Sequence, residues 1–468
     1  MDEAFHDTKR LKTSSPTSPT SCTACHSKKR KCDRKLPSCD RCSKNRQQCC
    51  YVNLRAMSAD SPDSSSILHI GTVVSTETCI TSEVLRIMDE HSTNPTLIME
   101  RYTRYVHHWL PIIDLHRMDR RIQSTHMLER ADAELAGLLL CIHLASQPSS
   151  TKIQGQAHME SLYIQTQKIF LSLQLTRRFS LYTIQCGLLL AMYQSGAGMF
   201  SEAYATLSTT TGLARVARLL DCRHRDHDSH EVKVVWWAIF LLDRILALAS
   251  LPNSLPLLME QPRDFEDLPD IHALRPPPEH EEENQPYDYF IEELKAAYLA
   301  GQTLQYMKSL DEYQEAYFED LNSQIMAHLG DMFEKAPGSW RPFCSAIAIL
   351  LVTAVELQFA RLTRITKDKE AAASCLQAIS THVKITIDVA RNYLEDQDAN
   401  FANGIVPITG VISDHHTLVT MFQQRELGHT ITTDDSEGLF VLKGSLKKKS
   451  HLWGLAGRYI QDLTGSIL

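Results

Sequence analysis

From about residue 80 onward, apolar side chains return every three or four positions rather than every second one, a spacing that predicts α-helices and argues against strands. Tyr102, Tyr105, Val106 and Trp109 would share one face of a helix that stops before Pro111. The same spacing predicts helices at about 131–147, 155–175, 180–196, 201–219, 231–249, 286–308, 311–334, 340–366 and 369–396. Strand-like alternation is nearly absent, so the expected fold class is mainly all-α. The acidic, Pro-rich stretch RPPPEHEEENQP (Arg275 to Pro286) interrupts the helices and reads as an exposed connection. The longest apolar run, Phe343 to Val355, ends at Glu356 after 13 residues, short of the roughly 18 needed to cross a bilayer. The first ten residues, MDEAFHDTKR, lack the apolar core of a secretory signal. A soluble, intracellular protein with no membrane partner is expected.

Before residue 80 the helical pattern gives way. Residues 1–20 read as a basic tail rich in Ser, Thr and Pro, residues 21–52 hold most of the cysteine, and residues 53–82, including MSADSPDSSS (Met57 to Ser66), read as a flexible linker. Residues 83–468 form the expected helical body. Charge follows the same division. The 468-residue chain carries 48 Lys plus Arg against 56 Asp plus Glu, a net −8, yet residues 1–60 hold 13 basic and 6 acidic side chains. A small cationic contact module is thus joined to a large acidic body.

Seven of the 13 cysteines fall between residues 22 and 50. The other six, Cys79, Cys141, Cys186, Cys222, Cys344 and Cys375, show no metal-ligand spacing and are expected to be ordinary buried thiols. In the cluster, Cys22, Cys25, Cys32, Cys39, Cys42 and Cys49 follow C-x2-C-x6-C-x6-C-x2-C-x6-C, a unit that repeats itself. Two residues between ligands let one turn present both sulfurs to the same ion, and zinc prefers four tetrahedral thiolates. Six cysteines cannot supply eight separate bonds, so two ions would require two shared sulfurs. Cys50 adjoins Cys49 and is the alternative last ligand. Leu36 is almost the only large aliphatic residue between the ligands, so metal binding would have to supply the folding free energy. A redox segment, a zinc store or a protein-binding zinc knuckle would use similar cysteines. Against these stands the company the cysteines keep: nine basic residues and only Asp33 and Asp40 lie between Cys22 and Cys49. With six thiolates and two zinc ions the module stays cationic, which suits a phosphate backbone.

This arrangement resembles the fungal binuclear zinc-cluster DNA-binding domain, the zinc-two-cysteine-six class of transcription factors. Pro37, two residues before Cys39, sits where that class carries a loop proline. The resemblance implies two zinc ions per chain, with Cys22 and Cys39 bridging them, Cys25 and Cys32 completing one site, and Cys42 and Cys49 the other. It also implies that a short helix including Ala24 to Arg30 points into the major groove of double-stranded DNA. Lys28 and Lys29 would then meet the guanines of CGG-like triplets. Arg30, Lys31, Arg34, Lys35, Arg41, Lys44 and Arg46 would position the module on phosphates. Relatives often pair through a coiled coil, but no heptad pattern persists between Tyr51 and Pro95, so a homodimer is an open alternative.

Two stretches of the body are similar to the fungal-specific transcription factor domain that follows such clusters. One is RYTRYVHHWLPIIDLHRM (Arg101 to Met118), with its Trp-x-Pro element; the other is GLARVARLLDCRHRDHDSHEVKVVWWAIFLLDRILAL (Gly212 to Leu248). The sequence then departs, with SLPNSLPL (Ser250 to Leu257) where relatives continue into a Gly-Arg-Pro turn. Trp236, Phe240, Asp243 and Arg244 are expected to supply core packing and a satisfied ion pair. Cys222, His224, His227 and His230 are too unevenly spaced to suggest a further metal site. No phosphate-cradling, metalloprotease or serine-nucleophile motif is present, and Asp434, Asp435 and Glu437 miss the spacing of a magnesium-binding acidic motif. The expected function is therefore that of a nuclear regulator of RNA polymerase II genes and not an enzyme, with DNA and the transcription machinery or co-regulators as partners. KRLK (Lys9 to Lys12) and KKRK (Lys28 to Lys31) are candidate import signals. The family resemblance extends to control of a metabolic or secondary-metabolite pathway. A DNA-bound repressor or adaptor, or a helical enzyme with an accessory zinc module, are the alternatives.

Overall fold

The computed structural model describes residues 21, 25, 28–35 and 39–45, and then residues 79–465 apart from short breaks at 125–132, 148–152, 177–179, 222–229, 253–254, 270–273, 276–284, 310–314, 336–342, 366–367, 396–406 and 427–432. They fall in two units, Met1–Val74 and Ser75–Leu468. No strand occurs among the described residues, as the helical spacing predicts.

In the first unit the described interior is sulfur. Cys25, Cys39 and Cys42 are buried, with Cys32 packed against them, and α1 (Asp40–Lys44) carries Cys42 on its inner face. The second unit is held by hydrocarbon. Its helices are α2 (79–90), α3 (Pro95–Tyr105), α4 (Leu115–Ser124), α5 (Ala133–Ala145), α6 (Ile153–Leu175), α7 (Leu181–Gly196), α8 (Phe200–Asp221) and α9 (His230–Ala249). They continue as α10 (Gln285–Lys308), α11 (Glu315–Lys335), α12 (Cys344–Leu362), α13 (Lys369–Glu395), α14 (Ile408–Glu426), α15 (Thr433–Lys449) and α16 (Gly454–Gly465).

Two helices that are apolar on every face form the centres around which the rest assemble, because such a helix has no side it can turn to water. Nearly all of α5 is buried, against α3, α6 and α7. In the C-terminal half α12 is enclosed by α10, α11, α13 and α14. Helix α9 joins the halves, touching α7 and α8 on one side and α10 and α14 on the other. With 19 residues and a mean hydropathy of 1.6, α12 is long and apolar enough to cross a bilayer. Its apolar character extends beyond the 13-residue run visible in the sequence, past Glu356, and its surroundings identify it as a core helix: 72% of the apolar window is buried inside the protein.

Helix ends explain where the sequence reading and the structure part. Asn94 caps α3 by accepting the Leu97 amide at 3.0 Å, and Pro95 occupies the first turn, where no amide is needed. The helix expected to reach Trp109 ends at Tyr105 instead. Tyr102 Oη donates to the Leu110 carbonyl at 2.9 Å and draws residues 106–109 into a tight turn, with Trp109 Nε1 donating to the Tyr105 carbonyl at 3.3 Å. Tyr102, Val106 and Trp109 still share one buried face. Helix α2 begins at residue 79 and takes up the last four residues of the segment read as linker. Of the scattered thiols, Cys141, Cys186 and Cys375 are buried and Cys344 partly so, whereas Cys79 is exposed, contrary to expectation, at the first position of α2.

Candidate metal centre and nucleic-acid interface

Three sulfurs, from Cys25, Cys32 and Cys39, lie within 4.8 Å of one another, and the Cys25 and Cys39 Sγ atoms are 3.8 Å apart. A tetrahedral ion with bonds of about 2.3 Å sets its sulfurs about 3.8 Å apart. Buried thiolates this close repel one another unless a cation lies between them, so this donor set fits zinc. Cys39 is wholly buried and serves as the N-cap of α1, its Sγ accepting the Cys42 amide at 3.4 Å. That bond supplies a partial positive charge to the sulfur with the heaviest expected burden, the one shared between two ions. Cys42 is buried beside it. Cys22, Cys49, the alternative Cys50 and Arg46 lie outside the described residues.

Polar contacts hold the two halves of the module in register. The Asp33 carboxylate accepts the Asp40 amide at 3.1 and 3.2 Å, caps the start of α1 and ties it to the loop after Cys32. Sequence reasoning counted Asp33 only as a charge; its place immediately after a ligand was the available signal. Arg41 Nη1 donates to the Lys31 carbonyl at 3.4 Å. Lys35 Nζ sits 2.7 Å from the Asp40 carboxylate, and that hydrogen bond raises the lysine above its ordinary value. Lys35 is therefore already engaged within the module, and Arg41 has a structural contact as well as an outward charge.

Lys28, Lys29, Arg30, Lys31, Arg34, Lys35, Arg41 and Lys44 are all exposed, a cationic shell over a sulfur interior. The first helix does not run to Arg30 as expected. Lys28 and Lys29 form a turn in which Lys29 adopts φ +48°, and the Arg30 amide returns to the Cys25 carbonyl at 2.8 Å. This six-to-one bond around a left-handed residue is a Schellman stop, usually made with glycine. A lysine there carries a steric cost that glycine would avoid. Arg34 is a second left-handed residue, at φ +62°. Observed strain of this kind clusters where side-chain identity matters more than local stability.

In the body, the two family-like stretches meet at one buried carboxylate. Glu231, at the start of α9, accepts the Asp114 amide at 3.2 Å and Gln185 Nε2 at 2.8 Å, and pairs with Arg117 at 3.0 Å. Gln185 Nε2 also donates to the Ile112 carbonyl at 2.6 Å. The segment after Trp109–Pro111 is thereby pinned to the helix that carries VWW and LDR. Burial pushes the Glu231 carboxyl up, an effect that Arg117 opposes. Asp243 and Arg244 form the expected ion pair, 2.5 Å apart and almost fully buried, with Arg244 over the Phe240 ring at 4.1 Å. Asp243 also accepts the amides of Leu258 and Met259, while Arg244 reaches Gln261 at 3.1 Å. The pair fastens the chain that follows Ser250–Leu257, so the missing Gly-Arg-Pro turn leaves this anchorage intact. Cys222, His224 and His227 lie outside the described residues; His230 Nε2 is 4.0 Å from Asp114. Glu437 pairs with Arg391 at 3.3 Å.

Comparison with known protein families places both regions. The fungal Zn(2)-Cys(6) binuclear cluster domain matches residues 20–56, and the fungal specific transcription factor domain matches residues 99–257, which include both family-like stretches. No curated protein matches the chain. The family's cofactor is a pair of zinc ions, and the gathered sulfurs of Cys25, Cys32 and Cys39 fit one of them. The chain belongs to the fungal binuclear zinc-cluster transcription regulators, whose cationic two-zinc DNA-binding module is followed by an all-helical fungal-specific transcription factor domain.

Proposed function

We propose that the protein is a nuclear, zinc-dependent, sequence-specific regulator of RNA polymerase II genes that reads CGG-like triplets in the major groove. The observation that carries this reading is the pairing of a sulfur interior of zinc geometry with a shell of exposed lysines and arginines. Cys22 and Cys39 would be the shared ligands, with Cys25 and Cys32 on one ion and Cys42 and Cys49 on the other. The ions supply the folding free energy that so small an apolar core cannot. Lys28 and Lys29 stand at the end of the first helix, where the abrupt stop at Lys29 lets ammonium groups reach the O6 and N7 acceptors of guanine. Arg30, Lys31, Arg34, Arg41 and Lys44 set the register on phosphates, and Lys35 does so from within its pair with Asp40. Residues 1–20 would be the basic tail, 21–52 the reading module, 53–82 the linker, whose last four residues begin α2, and 83–468 the regulatory body that engages co-regulators. Control of a metabolic or secondary-metabolite pathway fits the family.

Selection of bound duplexes from a random pool, with and without a zinc chelator, tests the reading. Enrichment of CGG-containing sites that disappears with chelator is the expected result. Enrichment indifferent to chelator, or none, would overturn it.

A further inference from the structure

Between α6, the α7–α8 corner and α16 lies a cavity of about 760 Å³, within the roughly 300–1,000 Å³ of small-molecule sites. It joins the family-matched region to a part of the chain beyond it. Gly198, at φ +75°, turns the corner between α7 and α8, and Arg458 of α16 donates to the Gly198 carbonyl at 3.1 Å. Trp453 lies directly on Gly196, where an added Cβ would come within 2.1 Å of the indole. The C-terminal segment is thus docked by its own contacts at one edge and leaves a hollow beside them.

The walls have a definite chemistry. Met159, Tyr163 and Ile164 come from α6, Tyr193 from α7, and Leu452 and Trp453 from the approach to α16. The Tyr163 and Tyr193 rings stack with centroids 5.6 Å apart and planes 27° from parallel, and so offer a continuous aromatic surface. The Tyr163 hydroxyl accepts Gln194 Nε2 at 3.1 Å, which leaves its own hydrogen for an acceptor. The Tyr193 phenol, protonated at neutral pH as any tyrosine is and pushed further up to about 12 by burial, can donate as well. The charged lining groups, Glu160 and Arg458, are exposed and of opposite sign, so the rim favours neither anion nor cation, and the aromatic interior disfavours any charge without a partner.

The hollow is kept open by glycine. A Cβ at Gly457, in the first turn of α16, would meet nothing within 4 Å. Glycine is among the weakest helix formers and an unfilled cavity lowers stability; an alanine or leucine here would favour the helix and reduce the space. We propose that this cavity binds an uncharged small molecule with a flat, largely apolar ring system and a hydrogen-bond acceptor, and that the ligand ties α16 to α6 and α7. The inference concerns the helical body and stands independently of how the zinc module reads DNA.

Titration of the full-length, zinc-loaded protein with Nile red, an uncharged fused-ring dye, tests it by fluorescence. One saturable site per chain is expected, weakened at least about tenfold by Gly457→Phe. Gly330→Phe, on the exposed face of α11 where an added Cβ also meets nothing, should leave binding unchanged. If Gly457→Phe unfolds the body by circular dichroism, Gly457→Leu gives the same reading with a smaller plug. Absence of saturable binding, or binding that survives the plug, would overturn the proposal. So would binding that instead falls with Leu175→Ser, at the 76% exposed end of α6, because the dye would then sit on the outer surface.

Discussion

The two units of this chain solve the same thermodynamic problem with different materials. Among the described residues between 25 and 45 the buried side chains are thiols, and the polar contacts that brace them are exposed and short-ranged in sequence. From residue 79 onward the interior is Leu, Ile, Val, Ala and aromatic carbon wrapped around α5 and α12. Burial of apolar area is non-directional and tolerates much sequence variation. Metal coordination fixes ligand identity and spacing outright. This is why the smaller unit announces its chemistry in a string of six cysteines, whereas the larger announces only its architecture.

The largest expected effect exploits that difference. Cys39→Ser removes the sulfur at the N-cap of α1 and at the centre of the cluster. It should abolish cooperative folding of the N-terminal module and all site-specific DNA binding, while the thermal transition of the helical body stays where it was. Chelation should do the same reversibly. Calorimetry of the full chain with and without chelator checks this, and a body transition that moves with zinc would show that the two units are not energetically separate.

Ion pairs give the second contrast. Breaking the buried Asp243–Arg244 pair with Arg244→Met strands a carboxylate in the core, where such losses cost about 3–5 kcal/mol. Both side chains are almost fully shielded from solvent, and that burial lowers Arg244 to about 10 and raises Asp243. Lys35→Ala breaks an exposed pair, 47% and 57% accessible, and should change stability little. Urea denaturation of both variants, followed by circular dichroism for the body and by zinc release for the module, measures the difference. A small loss for Arg244→Met would mean that the pair is spanned by water or that the core re-forms without it.

What was legible follows from the same materials. Helical spacing located α5 to α13 within a few residues because each buries a broad apolar face, and the family-like LDR stretch pointed to the Asp243–Arg244 pair. The spacing missed α2 and α4, the one partly assigned to the linker and the other short and rich in charge, and it missed α14, α15 and α16, where Gly410, Gly438, Gly444, Gly454 and Gly457 weaken helix propensity and packing decides instead. The cavity beside α16 was hidden for another reason: its walls come from positions some 300 residues apart. The family resemblance, for its part, carried the first helix of the zinc module too far. The stop at Lys29 depends on a left-handed backbone, and nothing in KKRK distinguishes such a lysine from a helical one. The sulfurs of Cys25, Cys32 and Cys39 lie together, a gathering that cysteine spacing can suggest because ligand spacing is tied to coordination geometry.

Lys29 sharpens the comparison at a finer scale, because it combines a backbone role with a candidate base contact. Lys29→Gly keeps the left-handed turn and removes the amine; Lys29→Ala removes the amine and retains the strain. If the ammonium reads guanine, both should lose about 1–3 kcal/mol on a CGG site and little on random duplex, with equal site preference remaining. Arg41→Ala, which also loses the bond to Lys31, should weaken both kinds of DNA alike. Competition binding against random duplex provides the measurement. A glycine variant that keeps its preference would assign Lys29 to the turn alone.

The smallest expected effect is a slope. His107 is 4% exposed, faces Tyr102 and Tyr287, and is held by burial down to about 4, with His108 adding to the shift and Asp114 opposing it. An unfolded histidine takes up its proton near 6.5. Between that value and about 4 the unfolded chain therefore binds a proton that the native body refuses, and stability falls as pH drops through this window. His143 and His415, also held at about 4 by burial, act in the same direction. The raised carboxyls of Glu231 and Asp414 act against it by taking up protons early in the native state. His107→Gln leaves those groups in place, so the difference between parent and variant isolates one imidazole. Stability measured in urea from pH 7 to 4.5 should decline less steeply in the variant, by at most one proton's worth, about 1.4 kcal/mol per pH unit. Zinc is also lost on acidification, because thiolates must stay deprotonated to hold it, but that loss should follow the same curve in both proteins. Equal slopes for the body would mean that water reaches the His107 ring, and that the hydrocarbon unit is less closed than its packing shows.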